Sequence, residues 1–201
     1  MHLHVYKLNF QSLKKSHRKI NLEDGNKVHK MLTEACNSTR AESKLLYRLV
    51  YRQDEVLLYV QTCKEIDHAV LESFGFCEVT TIDMQEKLQN IKEGDVVRFN
   101  IRVFPSKYEE NGTKQYIKNE KERVGWIMHK FGEHGLLLTE RSFLEKNTSM
   151  SIFVKNQKRT AIKSNEYEGY GIITDMEAFK QLVITGLGKC KNYGLGLALI
   201  I

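Results

Sequence analysis

The sequence predicts an α+β fold of two tandem ferredoxin-like (RRM-like) domains, at residues 1–88 and 94–201. Two observations predict this fold. The order strand, helix, strand, strand, helix, strand occurs once in each half of the chain, and it is the ferredoxin-like order. A charged connector, at roughly residues 85–94, separates the halves. The supersecondary pattern therefore repeats, although the residues themselves do not.

The first half begins with a strand at residues 4–10 and continues with an amphipathic helix. Asn21 is the predicted N-cap of this helix. Its apolar residues, at the spacing of one helical face, are Val28, Met31, Leu32 and Ala35. A strand hairpin, a second helix and a closing strand rich in β-branched residues follow at residues 45–51, 55–60, 66–74 and 78–84.

The second half begins with a strand in which apolar and polar residues alternate, and it ends before Pro105. The apolar face of this strand consists of Val97, Phe99, Ile101 and Val103. A helix with one apolar side follows at residues 120–131. Thr174-Asp-Met-Glu177 matches a capping box that starts the last helix. The pattern does not define strand ends within residues 106–118 and 144–165.

A glycine-rich segment at residues 186–196 joins the last helix to a C-terminal apolar strand. Glycine lets backbone amides approach a ligand closely, and Lys189 and Lys191 add positive charge, so the segment favours a phosphate-bearing partner. The order here is helix, loop, strand. A dinucleotide-binding loop needs strand, loop, helix, so the sequence excludes a nucleotide cofactor of that kind and predicts no cofactor.

The charge of the chain is unevenly distributed. Its 201 residues include 31 Lys and Arg against 25 Asp and Glu, a formal net charge of +6. Residues 1–90 hold 13 basic and 12 acidic side chains, whereas residues 91–201 hold 18 and 13. From residue 141 to residue 163, six basic residues accompany a single acid, Glu145. This concentration favours a polyanionic partner.

Composition excludes several other classes of protein. With 41% hydrophobic residues the chain can bury a core. No apolar run is long enough to span a bilayer and no signal peptide is visible, so we expect a cytoplasmic protein with no membrane partner. The four cysteines are scattered, which favours free thiols over a disulfide framework or a zinc module.

His29 is the main candidate for chemistry. It lies one position from the apolar stripe of the first helix, with Asn26 on the same face and Lys30 next to it. Histidine suits proton transfer near neutral pH. From the residues alone, His29 suits either helix packing or acid–base catalysis. His2 and His4 alternate on the first strand, but no third metal ligand is near in sequence, so we expect no metal site.

The chain resembles the CasE-type CRISPR RNA endonucleases, the crRNA-processing subunit of Cascade complexes. The glycines and lysine of Gly186-x-Gly188-x-x-Lys191-x-x-Gly194-x-Gly196 carry the resemblance, followed by Leu-Ala-Leu. Tyr167-Glu-Gly169, the helix start at residues 174–179, the segment at residues 97–107 and an N-terminal helix with one histidine occur in the family's order. The resemblance covers nearly the whole chain.

The resemblance implies two RRM-like domains and a metal-independent endoribonuclease. Such an enzyme cuts precursor CRISPR RNA at the base of the repeat stem-loop, leaves a 2′,3′-cyclic phosphate and keeps the crRNA. His29 matches the family's catalytic histidine, and Lys30 is a candidate electrostatic helper. Some relatives have a tyrosine where this chain has Asn26, so the second proton-transfer group is undefined. The implied partners are the repeat stem-loop and other Cascade subunits, especially a backbone subunit.

Several basic and glycine-rich positions are expected to hold the RNA. They include a hairpin whose tip is Asn156-Gln157, one face of the strand that begins at Val97 together with the end of that strand, and the glycine loop. The expected RNA-binding residues are Asn26, Arg98, Arg102, Lys107, Arg141, Lys155, Lys158, Arg159, Lys163, Gly186, Gly188, Lys189, Lys191 and Gly194.

Two other functions fit the same fold. One is a subunit that holds crRNA without cutting it. The other is a general single-stranded RNA-binding protein, in which Tyr47, Tyr51 and Tyr59 would stack on bases. Alternation along the strands makes core packing an equal explanation for these tyrosines.

Overall fold

The computed structural model describes residues 1–15, 18–110, 112–155 and 158–200. It forms two compact units. The first contains Met1–Asn90, Ser151–Thr160 and Lys191–Gly194. The second contains Ile91–Met150, Ala161–Cys190 and Leu195–Ile201. None of the helices in the described part of the chain has the length and apolar character needed to cross a bilayer.

The first unit contains a four-stranded antiparallel sheet with helices against it. Its strands are β1 (His2–Leu8), β2 (Leu46–Tyr51), β3 (Val56–Thr62) and β4 (Phe76–Asp83). Its helices are α1 (Phe10–Lys15), α2 (Gly25–Ala35), α3 (Arg40–Ser43), α4 (His68–Ser73) and α5 (Met84–Gln89). The strand order is β2-β3-β1-β4. This order and the βαββαβ sequence confirm the predicted ferredoxin-like fold for this half.

The core of the first unit lies between the sheet and α2. The predicted apolar stripe of α2 is buried throughout: Val28 and Leu32 are 0% exposed, and Met31 and Ala35 are 2% exposed. These residues pack with Tyr6, Leu58 and other side chains of the strands. The predicted N-cap was wrong by one turn, because Asp24 accepts the Asn26 N–H whereas the Asn21 side chain accepts the Glu23 N–H.

The second unit repeats the βαββαβ order with additions. Its strands are β5 (Val96–Val103), β6 (Ser106–Tyr108), β7 (Lys114–Tyr116), β8 (Leu136–Leu137), β9 (Phe143–Lys155), β10 (Lys158–Ile173) and β11 (Ala198–Ile200). The end of β9 from Ser151 and the start of β10 up to Thr160 are assigned to the first unit. Its helices are α6 (Glu120–Gly132) and α7 (Met176–Thr185). The main sheet has the order β11-β5-β10-β8, and β9 pairs with β10. The second ferredoxin-like pattern is therefore confirmed, with β6 and β7 as a separate small ribbon.

Two details of the second unit differ from the sequence expectation. The last helix begins one residue later than the predicted capping box, because the side chain of Asp175, not Thr174, accepts the Ala178 N–H. Glu145, which the charge count records only as the single acid of a basic segment, is the partner of the buried Arg123, with Nη2 of Arg123 2.6 Å from Oε1 of Glu145. Tyr167 also donates to Glu145.

Candidate active site and nucleic-acid interface

Helix α2 places His29 at the border between core and solvent. Val28 before it is fully buried, and Lys30 after it is exposed. His29 itself is half-buried, as expected for a position beside the apolar stripe. The helix begins at Gly25 with Asp24 as its N-cap, so the backbone at His29 is held within regular helix.

An open groove of about 700 Å³ runs along the end of α2 and the start of α3. His29 and Lys30 line one part of it, and Arg40 lines another. The remaining lining residues are Thr33, Glu34, Asn37, Ser38, Thr39 and Glu42. The groove thus brings the predicted catalytic pair together with a second cation, which the sequence analysis missed.

The imidazole of His29 is prepared to accept a proton. Burial lowers the pKa of His29, and the charge of Arg40 lowers it further. The ring is therefore neutral at pH 7. Its Nδ1 atom is buried and has no hydrogen-bond partner among the described residues. A buried nitrogen without a partner is costly in a fold that gives it nothing else to do, so this ring has the features of a functional group.

Arg40 is the first residue of α3, and a capping box fixes its position. Thr39 accepts the Glu42 N–H, and the Glu42 carboxylate accepts the Thr39 N–H at 3.1 Å. Burial lowers the pKa of Arg40, but an arginine remains charged at any physiological pH. Its Nε atom has no hydrogen-bond partner within the described residues. Arg40 is therefore a partly desolvated cation available to an anion.

The acidic residues of the groove are bound to other groups. Both oxygens of Glu34 accept from Arg18, at 2.7 and 2.8 Å. Glu42 accepts from Thr39 and Ser38, and these hydrogen bonds lower its pKa. Neither carboxylate forms an ion pair with Arg40 in the described part of the chain, so the guanidinium group is not engaged by an acid of the groove.

The second half of the glycine-rich segment packs on the helix that carries His29. Residues Lys191–Tyr193 form a 3₁₀ turn, and Tyr193 lies against Gly25. A methyl group placed on Gly25 would be 3.3 Å from Cα of Tyr193. The hydroxyl of Tyr47, whose side chain is buried, contacts the carbonyl oxygens of Gly25 at 3.0 Å and Asn192 at 2.9 Å. Lys191 and Gly194 thus belong to the unit of His29.

The first half of this segment belongs to the second unit. Gly186, Gly188 and Cys190 all have positive φ, of 70, 75 and 64°. Positive φ at alternate residues makes the chain turn repeatedly, and backbone N–H groups in such turns can contact an anion. Lys189 between them is exposed.

The sequence predicts that Arg98 and Arg102 of β5 bind RNA. In the structure, two carboxylates of the neighbouring strand β10 lie beside them on the same face of the sheet. Arg98 pairs with Glu168, and Nη2 of Arg102 is 3.4 Å from Glu166. Lys146 also contacts Glu168, at 2.6 Å. Hydrogen bonds from Lys146 and Arg98 lower the pKa of Glu168 to about 2. This face is mixed in charge, and a phosphate there competes with carboxylates.

The other predicted RNA contacts have individual surroundings. Lys107 pairs with Glu122 at 2.6 Å, and Lys163 lies 4.8 Å from the ring centre of Tyr116. Arg141 is exposed in the turn before β9. The side chains of Lys155, Lys158 and Arg159 and the tip Asn156-Gln157 lie outside the described residues. The strands β9 and β10 end and begin on either side of this tip.

The three tyrosines proposed for base stacking do not form a shared platform. Tyr47 is 2% exposed and is held by the two carbonyl contacts described above. Tyr51 is 55% exposed at the end of β2, and Tyr59 is half-buried. Core packing is therefore the better explanation for Tyr47, and the general single-stranded RNA binder loses its main argument.

Comparison with known proteins agrees with this fold. CRISPR endoribonuclease Cse3 bound to 19 nt RNA has a TM-score of 0.85 and 22% identity, over 100% of both chains. Thermus thermophilus Cse3 bound to an RNA representing a pre-cleavage complex has a TM-score of 0.80 and 22% identity, again over 100% of both. A chain of a CRISPR RNA-guided surveillance complex has a TM-score of 0.67 and 18% identity, over 98% of both.

No curated protein matches the sequence significantly. At the identities above, the likeness to solved structures establishes the fold. The profile of the family described as CRISPR associated protein matches residues 1–201, and the chain therefore belongs to that family.

Proposed function

We propose that this protein is a metal-independent endoribonuclease of the cytoplasm that cleaves precursor CRISPR RNA at the base of the repeat stem-loop. It then keeps the mature crRNA as a subunit of a Cascade complex. Family membership and the fold shared with RNA-bound Cse3 support this function. The observation that carries it is the neutral imidazole of His29, whose Nδ1 atom has no hydrogen-bond partner among the described residues, in an open groove shared with the cation Arg40.

The proposed chemistry needs three groups. His29 removes the proton of the attacking 2′-hydroxyl, whose oxygen forms a bond to phosphorus while the bond from phosphorus to the 5′-oxygen breaks. The leaving 5′-oxygen takes a proton from water, and the products are a 2′,3′-cyclic phosphate and a 5′-hydroxyl. Arg40 stabilises the extra negative charge on the phosphate in the transition state, and the exposed Lys30 assists. All three line the same groove.

Asn26 favours a second candidate function, crRNA binding without cleavage. It lies one turn before His29, where a titratable side chain would supply the proton for the leaving oxygen. An amide cannot supply that proton near neutral pH. If no other group does so, the protein holds the hairpin and cuts it slowly or not at all.

A cleavage assay in EDTA on the repeat RNA encoded beside this gene separates the two functions. We expect cleavage by the wild type, a loss of at least about 100-fold in His29→Ala, and no cleavage of RNA with a 2′-deoxy sugar at the cut. His129→Ala, an exposed helical histidine, is the matched control. Tight hairpin binding without cleavage by the wild type supports the binding function. Absence of any hairpin preference contradicts both.

A further inference from the structure

Three side chains with metal-binding atoms converge in the first unit, outside the groove. His4 is in β1, Glu78 is in the neighbouring β4, and His68 is the first residue of α4. Nδ1 of His4 is 3.0 Å from Oε1 of Glu78, and Nδ1 of His68 is 3.5 Å from Oε2. One ligand atom of each residue lies within 4.8 Å of the other two. The fold, not the sequence spacing, assembles this set.

A β-bulge directs Glu78 towards His4. Strands β1 and β4 pair His4 with Thr81, but their register shifts between Val5 and Tyr6, so that Tyr6 pairs with Glu78. An unshifted register would place Val79 opposite Tyr6 instead. Bulges turn side chains to new directions and are frequent beside functional sites. The bulge therefore brings the carboxylate of Glu78 into contact with the imidazole of His4.

The distances fit a small tetrahedral ion. With zinc bonds of about 2.0–2.1 Å to nitrogen and oxygen, neighbouring ligand atoms are roughly 3.3 Å apart. The separation from Nδ1 of His4 to Oε1 of Glu78 is 3.0 Å and that from Nδ1 of His68 to Oε2 of Glu78 is 3.5 Å, on either side of that value. Two imidazoles and one carboxylate are also a donor set that zinc uses when water occupies its fourth position. Magnesium would instead require mostly oxygen ligands.

We propose that His4, His68 and Glu78 bind one Zn²⁺ ion, which links β1, β4 and the start of α4. The side chains of His68 and Glu78 are 43% and 36% exposed, so the ion reaches the site from solvent. His4 is 9% exposed and forms the inner wall.

Two hydroxyl groups lie beside the three ligands. Oγ1 of Thr81 is 2.5 Å from Oε1 of Glu78 and 2.8 Å from Nδ1 of His4. The hydroxyl of Tyr6 is 3.1 Å from Nδ1 of His68. Zinc bound through these nitrogens replaces both contacts to Nδ1, and the hydrogen bond from Thr81 to Glu78 is left to orient the carboxylate. His2, which alternates with His4 on the strand, is not among the three proposed ligands.

Zinc titration by calorimetry tests the site, with protein first stripped of metal. We expect one Zn²⁺ per chain for the wild type and at least about tenfold weaker binding for His68→Gln and Glu78→Gln. His129→Gln is the matched control, because Nε2 of His129 also lies near a carboxylate, 3.3 Å from Oε1 of Glu133. That pair has no third ligand within the described residues. This control is expected to bind zinc as the wild type does.

Two further measurements complete the test. Co²⁺ in place of zinc gives intense visible absorption only when it is four-coordinate, and we expect this signal from the wild type and not from Glu78→Gln. Zinc is also expected to raise the melting temperature of the wild type but not of His68→Gln. Equal affinity in all four proteins, or no binding by a wild type shown to be folded by circular dichroism, overturns the proposal. None of these measurements uses RNA, so their result is independent of the cleavage assay.

Discussion

The charge of Arg40 lowers the pKa of His29. The two residues belong to different helices, α2 and α3, and both line one groove. Burial acts on His29 in the same direction and more strongly. The consequence is an imidazole that stays unprotonated below its ordinary pKa of about 6.5, next to a cation with no partner among the described groups.

We predict that Arg40→Ala lowers the single-turnover cleavage rate by about 100-fold while hairpin binding remains close to that of the wild type. The reason is loss of charge stabilisation in the transition state. Arg40→Met should lose activity without losing thermal stability, because the partly buried cation has no compensating partner in the folded protein. Arg52→Ala, which removes an equally charged but exposed residue of the same unit, is the control. Equal rates for the variants at positions 40 and 52 would remove Arg40 from the mechanism.

The pH dependence of cleavage should shift in Arg40→Ala. A general base works only when it is neutral, so the rate falls as the pH drops through the pKa of His29. Because Arg40 lowers that pKa, its removal raises it, and the acidic limb of the pH–rate profile moves to higher pH. A titration of the His29 ring followed by NMR measures the same shift without any RNA. An unchanged titration would contradict the electrostatic coupling.

Glu145→Gln should destabilise the protein by about 3 kcal/mol, because it leaves the largely buried Arg123 without a counter-charge. Burial alone would raise the pKa of Glu145, but hydrogen bonds from Arg123 and Tyr167 outweigh it, and the pKa lies below 4.5. The stabilisation is therefore complete above pH 4.5 and is lost as the pH falls through the lower folded-state value. Urea unfolding at several pH values measures this. Glu177→Gln, at an exposed pair with Lys180, is expected to change stability by less than about 0.5 kcal/mol.

Gly194→Ala should cost more stability than Gly188→Ala. Both glycines have positive φ, 77 and 75°, so alanine is strained by roughly 1 kcal/mol at either position. Only at Gly194 would the added methyl group also meet a buried side chain, 3.0 Å from Cε2 of Tyr47, whereas at Gly188 the nearest atom is 3.9 Å away. Thermal unfolding of the two variants isolates the steric part. Equal losses of stability would mean that the side chain of Tyr47 moves away from the added methyl group without destabilising the protein.

Glu168→Gln tests whether Arg98 binds RNA. It releases Arg98 and Lys146 from a carboxylate that stays ionised down to about pH 2. If these cations contact phosphates, hairpin affinity rises and its dependence on salt becomes steeper. Glu177→Gln changes the net charge equally and serves as the control here as well. The same increase in both variants would show that only the overall charge matters.

The sequence predicts the regular elements of this protein well, because the apolar residues that repeat at helical or strand spacing are the ones that become buried. The stripe of α2 and the apolar face of β5 are buried as expected. The helix caps are less predictable, since Asn21 and Asp24, or Thr174 and Asp175, are chemically similar and only the backbone decides between them. Strands of three residues such as β6 and β7 are too short to show a period at all.

The candidate site is less predictable than the fold. His29 is found from its position in an amphipathic helix and from the resemblance of that helix to the corresponding helix of a known family. Both signals are local in sequence. Arg40 has only a helix-start signal, the capping box of Thr39 and Glu42. That its Nε atom has no partner among the described residues is visible only in three dimensions. Glu145 shows the reverse case, because counting charges along the chain cannot reveal that Arg123 neutralises it.

The 3₁₀ turn Lys191–Tyr193 has a consequence for the order in which the protein is made. It belongs to the first unit, yet the ribosome synthesises it after nearly all of the second. A nascent chain that has reached Asn90 contains Tyr47 and Gly25 but not Asn192, so one of the two carbonyl contacts of Tyr47 is still missing. Domains generally fold as they emerge, N-terminal part first. The helix that carries His29 therefore acquires this packing partner only after nearly all of the second unit has been synthesised.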